Sequence, residues 1–105
     1  MIINVKQGVW LAQLNDHFLQ FIEALHEVWT RWGDTPTITA GADGKHMEGS
    51  KHYKNDAWDV RVWGLHNPQK QADQLRERLK EIDAQWIVLY GDEDHLDHIH
   101  VGYGG

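Results

Sequence analysis

Two short segments far apart in the chain alternate in the same way, and this limits the fold more than any other feature. In Ala57 to Trp63, the apolar Trp58, Val60 and Val62 share one parity, while Asp59 and Arg61 share the other. In His98 to Tyr103, Ile99 and Val101 stand opposite His98 and His100 in the same sense. Successive side chains of a strand point to opposite faces. Each segment therefore reads as a strand with one face for a core and one face of ionisable groups. Helices packed on the apolar face would leave an open face that carries the polar set. The predicted class is α+β, with two helices against a small, mostly antiparallel sheet of about four strands.

The helices are legible from their own period. Leu11, Leu14, Phe18, Ile22, Leu25, Trp29 and Trp32 recur at three- and four-residue steps, which predicts an amphipathic helix over residues 10 to 32. Gly33-Asp34-Thr35-Pro36 stops it. Asn67-Pro68 is a second helix start, an N-cap followed by proline at the first helical position. Ala72, Leu75, Leu79 and Ile82 give that helix its apolar stripe, ending near Asp83. Thr37 to Ala40 reads as a short strand. Trp86 to Tyr90 is a continuous apolar run, as a central strand would be. Gly41 to Gly49 is a glycine-punctuated loop with His46, Met47 and Glu48, and Gly91 to His95 is an acidic turn. His17 and His26 read as surface or flank residues of the first helix, and His66 as structural.

Composition narrows the chemistry. At 105 residues the chain is one domain. A domain of this size buries about two-thirds of its unfolded surface, and six tryptophans would supply much of the core. There is no cysteine, so any metal must be held by nitrogen and oxygen. A net charge of -6 with no basic patch argues against nucleic acid as the main partner. Met1 to Lys6 has no basic n-region or apolar h-region, and no apolar run approaches a membrane span. The expectation is a chain made in the cytoplasm without membrane insertion.

The candidate site joins Ser50-Lys51-His52-Tyr53-Lys54-Asn55-Asp56-Ala57-Trp58-Asp59 to Asp97-His98-Ile99-His100. Imidazoles and a carboxylate with a second carboxylate nearby suit a hydrolytic zinc site, which takes three protein ligands and leaves one position for water. His98 and His100 share a strand face. His52 and Asp59 differ in parity, and the polar run Lys54-Asn55-Asp56 reads as the turn that lets them converge.

These residues resemble a known family. Ser50-x-His52-x-x-Asn55-x-Ala57-x-Asp59 is similar to the S-x-H-x-x-G-x-A-x-D motif of zinc D-Ala-D-Ala carboxypeptidases and L-alanyl-D-glutamate endopeptidases, which share the Hedgehog/DD-peptidase fold. His98-x-His100 resembles that group's H-x-H, and Asp97-x-x-His100 the acid-x-x-His element of its phage endolysin branch. Thr37 to Gly41 is similar to the strand and glycine preceding the first motif, so the resemblance spans about residues 36 to 104.

It implies His52, Asp59 and His100 as zinc ligands, Asp97 as general base, and His98 as the group that stabilises the transition state. The implied substrate is a peptidoglycan stem peptide, with delivery by a holin or within a virion. Two positions depart from the pattern. Asn55 stands where the family has glycine, although asparagine also tolerates a left-handed turn. The family's substrate-binding arginine before the serine is missing from Ala42-Asp43-Gly44-Lys45-His46, which leaves Lys45 or Arg61 for that role. Ser50 is expected to orient the loop or a ligand.

Plainer readings stand beside these. An H-x-H on an edge strand is often surface, and Asp59 alone could pair with Arg61. Asp97 could be one more solvated acid beside Asp92, Glu93 and Asp94, and Asp94 is a rival base. His95 reads as turn surface, with replacement of His98 as its alternative. Trp58 reads as core and Trp63 as the better substrate platform. The alternative function is a catalytically silent zinc-binding structural or interaction module, such as a phage tail component. A weaker third reading is a metal-free domain with clustered histidines.

Overall fold

A computed structural model describes residues 1–11, 15–41, 57–93 and 95–104. The first helix, α1 (Asp16–Arg31), begins later than its hydrophobic period suggests. Asn15 caps it, its side-chain oxygen accepting from the Phe18 N–H at 3.0 Å. That cap satisfies one of the unpaired donors of the first turn. Trp10 and Leu11 lie outside the helix, and Leu14 lies outside the described residues. The chain at Trp10 and Leu11 passes so close to Gly41 that a Cβ there would meet the Trp10 carbonyl oxygen at 2.8 Å. At the other end Gly33, with φ +75°, turns the chain. The Asp34 N–H returns to Trp29 O and the Gly33 N–H to Thr30 O, a Schellman closure that only a left-handed residue makes cheaply.

The second helix, α2 (Pro68–Ile82), follows the sequence closely. Asn67 accepts from the Lys70 N–H, proline opens the first turn, and Asp83 ends it. Among the described residues five strands form one sheet: β1 (Asn4–Val5), β2 (Thr37–Ala40), β3 (Ala57–Arg61), β4 (Trp86–Leu89) and β5 (His98–Tyr103). Their order is β1-β2-β3-β5-β4. The β1–β2 pair is parallel and the others antiparallel. The molecule is thus a compact α+β domain with a mixed, mostly antiparallel sheet.

Two strand expectations need correcting. The short β1 adds a fifth strand that no alternation announced, because two residues are too few to show a period. β4 is an edge strand, despite its apolar run. Its sequence looks central because α2 covers its outer edge. Arg76 donates to Val88 O from Nε at 3.0 Å and from Nη2 at 2.7 Å, while Lys80 donates to Trp86 O at 2.9 Å. Charged side chains thereby occupy carbonyls that would otherwise invite another strand.

The core lies between the helices and one sheet face. Ile38, Trp58, Val60, Trp86, Val88, Ile99 and Val101 come from the sheet, and Phe21, Leu25, Val28, Trp29, Leu75 and Leu79 from the helices. Phe21 stacks on Trp58 with ring centroids 4.9 Å apart. Trp29, Trp58 and Trp86 are fully buried, whereas Trp10 and Trp63 are exposed. His17, expected at the surface or flank of the first helix, is half-exposed there and stacks on Tyr103 at 3.7 Å, and the Tyr103 hydroxyl donates to Asp83 at 2.6 Å. His66 is structural as expected, with its Nδ1 2.7 Å from Asp34 Oδ1.

Candidate functional site

The inner face determines what the outer face brings together. Packing of Trp58 and Val60 against Val101 and Ile99 fixes the β3–β5 register, in which Trp58 is opposite Val101 and Val60 opposite Ile99. A slip of one residue would turn the whole apolar set to solvent. With this register, Asp59 must stand opposite His100 and Arg61 opposite His98, all on the face turned away from the helices. On the other flank of β3, Ile38 pairs with Val60 but Ala40 pairs with Asp59, so β2 carries a bulge beside Asp59. Bulges bend a strand and re-aim its side chains. The Thr39 hydroxyl donates to the Asp59 carbonyl at 3.4 Å across that irregularity.

The side chains of Asp59, His98 and His100 meet. His100 Nδ1 is 3.2 Å from Asp59 Oδ1, and His98 Nε2 is 3.8 Å from Asp59 Oδ2. All three are largely covered. His98 is held from behind, with its Nδ1 2.7 Å from Asp97 Oδ1. Asp97 itself is 91% exposed, so it reaches the group only through His98. The hydrogen bond from His98, and then the charge of that ring, hold the Asp97 carboxyl below its usual range.

A fourth side chain joins them. The turn from Gly91 to His95 closes on itself, with the Gly91 N–H donating to His95 O and the His95 N–H to Asp92 O. This fold-back sets the His95 ring 5.3 Å from His98 and 5.7 Å from His100. Its Nδ1 lies 2.6 Å from Asp92 Oδ1. Strand parity does not place His95, because it sits in a turn. The available signal was the run of three histidines, each near an acid, within six residues.

Of the other residues singled out by the sequence, Lys45, His46, Ser50, His52, Tyr53 and Asp94 lie outside the described residues. Arg61 does not pair with Asp59. Its guanidinium carbon lies 4.1 Å from the Trp63 ring centroid. Trp63 stands past the end of β3 and is 70% exposed.

Imidazole nitrogen and carboxylate oxygen are donors that zinc accepts. Asp59 and His100 therefore fit such an ion in kind. Among the described residues no three histidine, aspartate or glutamate side chains stand in a metal-holding arrangement. The pair needs a further ligand, and the one the sequence pattern supplies is His52.

Comparison of the chain with protein-family models and with curated proteins finds no match. No described helix is long and apolar enough to cross a membrane.

Proposed function

We propose that this chain is a zinc metallopeptidase acting on amide bonds of peptidoglycan stem peptides, of the D,D-carboxypeptidase or L-Ala-D-Glu endopeptidase type. Its fold would be a minimal Hedgehog/DD-peptidase domain, and its setting a phage or prophage product that reaches the wall through a holin or a virion. The observation that supports this most is the direct cross-strand pairing of Asp59 with His100, carboxylate against imidazole, on the sheet face that the helices leave open. The spacing pattern nominates these two residues from opposite ends of the motif set.

His52, Asp59 and His100 would hold the ion. When bound there, zinc supplies Lewis acidity and makes water a nucleophile near neutral pH. The chain's own groups supply the rest. The resemblance makes Asp97 the general base that takes a proton from the attacking water and passes it to the leaving amine, a role its carboxylate could fill only on leaving His98 Nδ1. His98, oriented by Asp97 through Nδ1, presents Nε2 toward Asp59. As an imidazolium it would stabilise the oxyanion of amide cleavage.

The position of Asp97, 91% exposed and bonded to His98 rather than to the Asp59–His100 pair, favours the second reading, a silent zinc-binding module. Metal analysis of the purified chain, followed by amine release from purified peptidoglycan, separates the two. Stoichiometric zinc and release abolished by Asp97→Ala is the peptidase result. Zinc without release is the module result. His52→Ala should cut zinc content sharply, while His46→Ala should leave it unchanged.

A further inference from the structure

The sheet has two edges, and they are finished differently. At β4, Arg76 and Lys80 of α2 occupy the outward carbonyls of Val88 and Trp86. At β1 the edge is open. The Asn4 N–H donates to Pro36 O and the Lys6 N–H to Ile38 O, both at 2.9 Å. Main-chain groups of successive strand residues point to opposite sides, so those of Ile3 and Val5 point away from β2. Among the described residues no hydrogen bond engages them. An unpaired strand edge is a template for another strand.

Behind that edge lies an apolar hollow of about 270 Å³ lined by Met1, Ile3, Val5, Phe18, Ile22 and Ile38. Leu19 stands one turn before Ile22 on α1. Met1, Ile2, Val5 and Leu19 are 68%, 69%, 45% and 51% exposed. Together they present roughly 400 Å² of mostly apolar surface, a size that marks an interaction site. Lys6 is the one charged side chain among residues 1 to 11, so this edge carries none of the acids behind the net charge of -6.

We propose that β1 is the contact between two copies of this chain, paired antiparallel about a two-fold axis at Asn4. With the axis there, the N–H and C=O of Ile3 meet those of the partner's Val5, and the reverse holds across the axis. Ile3 and Val5 both line the hollow, so their side chains carry one apolar seam across the joint. Lys6 falls opposite the partner's Ile2, and like charges do not face. The two five-stranded sheets become one. Because the β4 edges stay closed, the assembly stops at two copies. Each partner of a standard complex buries about 800 Å², and this patch is smaller, so the dissociation constant should be on the order of 100 µM. The contact stands independently of the peptidase reading.

Sedimentation of the full chain tests it, with a monomer expected at about 10 µM and a dimer at about 1 mM. Val5→Lys places a charge in the seam and should weaken the dimer about ten-fold or more. Leu96→Lys, at an exposed leucine outside β1, should leave it unchanged. The register has a test of its own. Residues facing each other in a non-hydrogen-bonded pair stand about 4.5 Å apart at Cα, within reach of a disulfide. The chain has no cysteine, so a single introduced thiol can pair only with its own copy. Under oxidised glutathione, Asn4→Cys should cross-link about ten-fold faster than Lys6→Cys, whose thiols lie on opposite sides of the axis. A monomer at about 1 mM, a dimer that Val5→Lys leaves intact, or equal cross-linking of the two cysteine variants overturns the contact. If Val5→Lys does not fold, the cross-linking comparison decides alone.

Discussion

The two faces of the β3–β5 pair are built from interleaved residues of the same ten-odd positions, yet they behave as different materials. On one face Trp58, Val60, Ile99 and Val101 are wholly buried and interlock with two helices. On the other, Asp59, His98 and His100 keep partial exposure and meet through polar contacts of 3.2 to 3.8 Å. Apolar burial is worth about 1.5–3 kcal/mol per large side chain, whereas partly exposed charge pairs contribute about 1 kcal/mol or less. The inner face therefore fixes the register and the outer face inherits it. A polar site of this kind can be altered at small cost to the fold.

That contrast is open to direct attack. Trp58→Ala should destabilise the domain by about 3–5 kcal/mol in urea unfolding, while Asp59→Asn should change it by about 1 kcal/mol or less. Equal costs would show that the site helps fix the register. Next in size, Asp59→Asn and His100→Ala should each lower zinc affinity in equilibrium dialysis by about 100-fold or more, since even outer partners of metal ligands are worth about 10–100-fold. Unchanged affinity in either variant would move the metal elsewhere.

The sheet edge gives a smaller effect. Arg76→Ala removes two charged hydrogen bonds to Val88 O, so a loss of about 1–2 kcal/mol is expected. Self-association should also appear in sedimentation, because the β4 edge is uncovered. Arg78→Ala, which removes the exposed pairs with Glu27 and Glu81, should do neither.

The smallest effect is a pH dependence. Burial pushes the Asp34 carboxyl up, but the His66 backbone and ring, with Gln71, more than offset this and leave it below 3.8. A carboxyl lowered on folding stabilises above its unfolded value and loses that contribution as pH falls through its folded one. The advantage of wild type over Asp34→Asn in thermal unfolding should thus hold at neutral pH and fade below about 3.8. A gap constant down to pH 2 would mean that Asp34 acts by packing alone.

Much of this was visible in the residues themselves. The α2 boundaries followed from Asn67, Pro68 and Asp83, because capping is local chemistry. The stop of α1 at Gly33 was equally local. Its start was not, since Leu11 keeps the hydrophobic period while the chain there runs beside Gly41 and helix begins only after Asn15. Period reports burial, and Leu11 packs against the core from outside any helix. β4 misled for a similar reason, because helix α2 hides an edge as well as a neighbouring strand would. His95 escaped because a turn has no parity to read.

By itself, then, the sequence determined which side chains of β3 and β5 share a face, since alternation is a property of the extended backbone alone. It could not determine which residue of one strand stands beside which residue of the other. That pairing of Asp59 with His100, and of Arg61 with His98, was decided by tertiary packing. Register between strands some forty residues apart is set by how Trp58, Val60, Ile99 and Val101 fill the space under the helices.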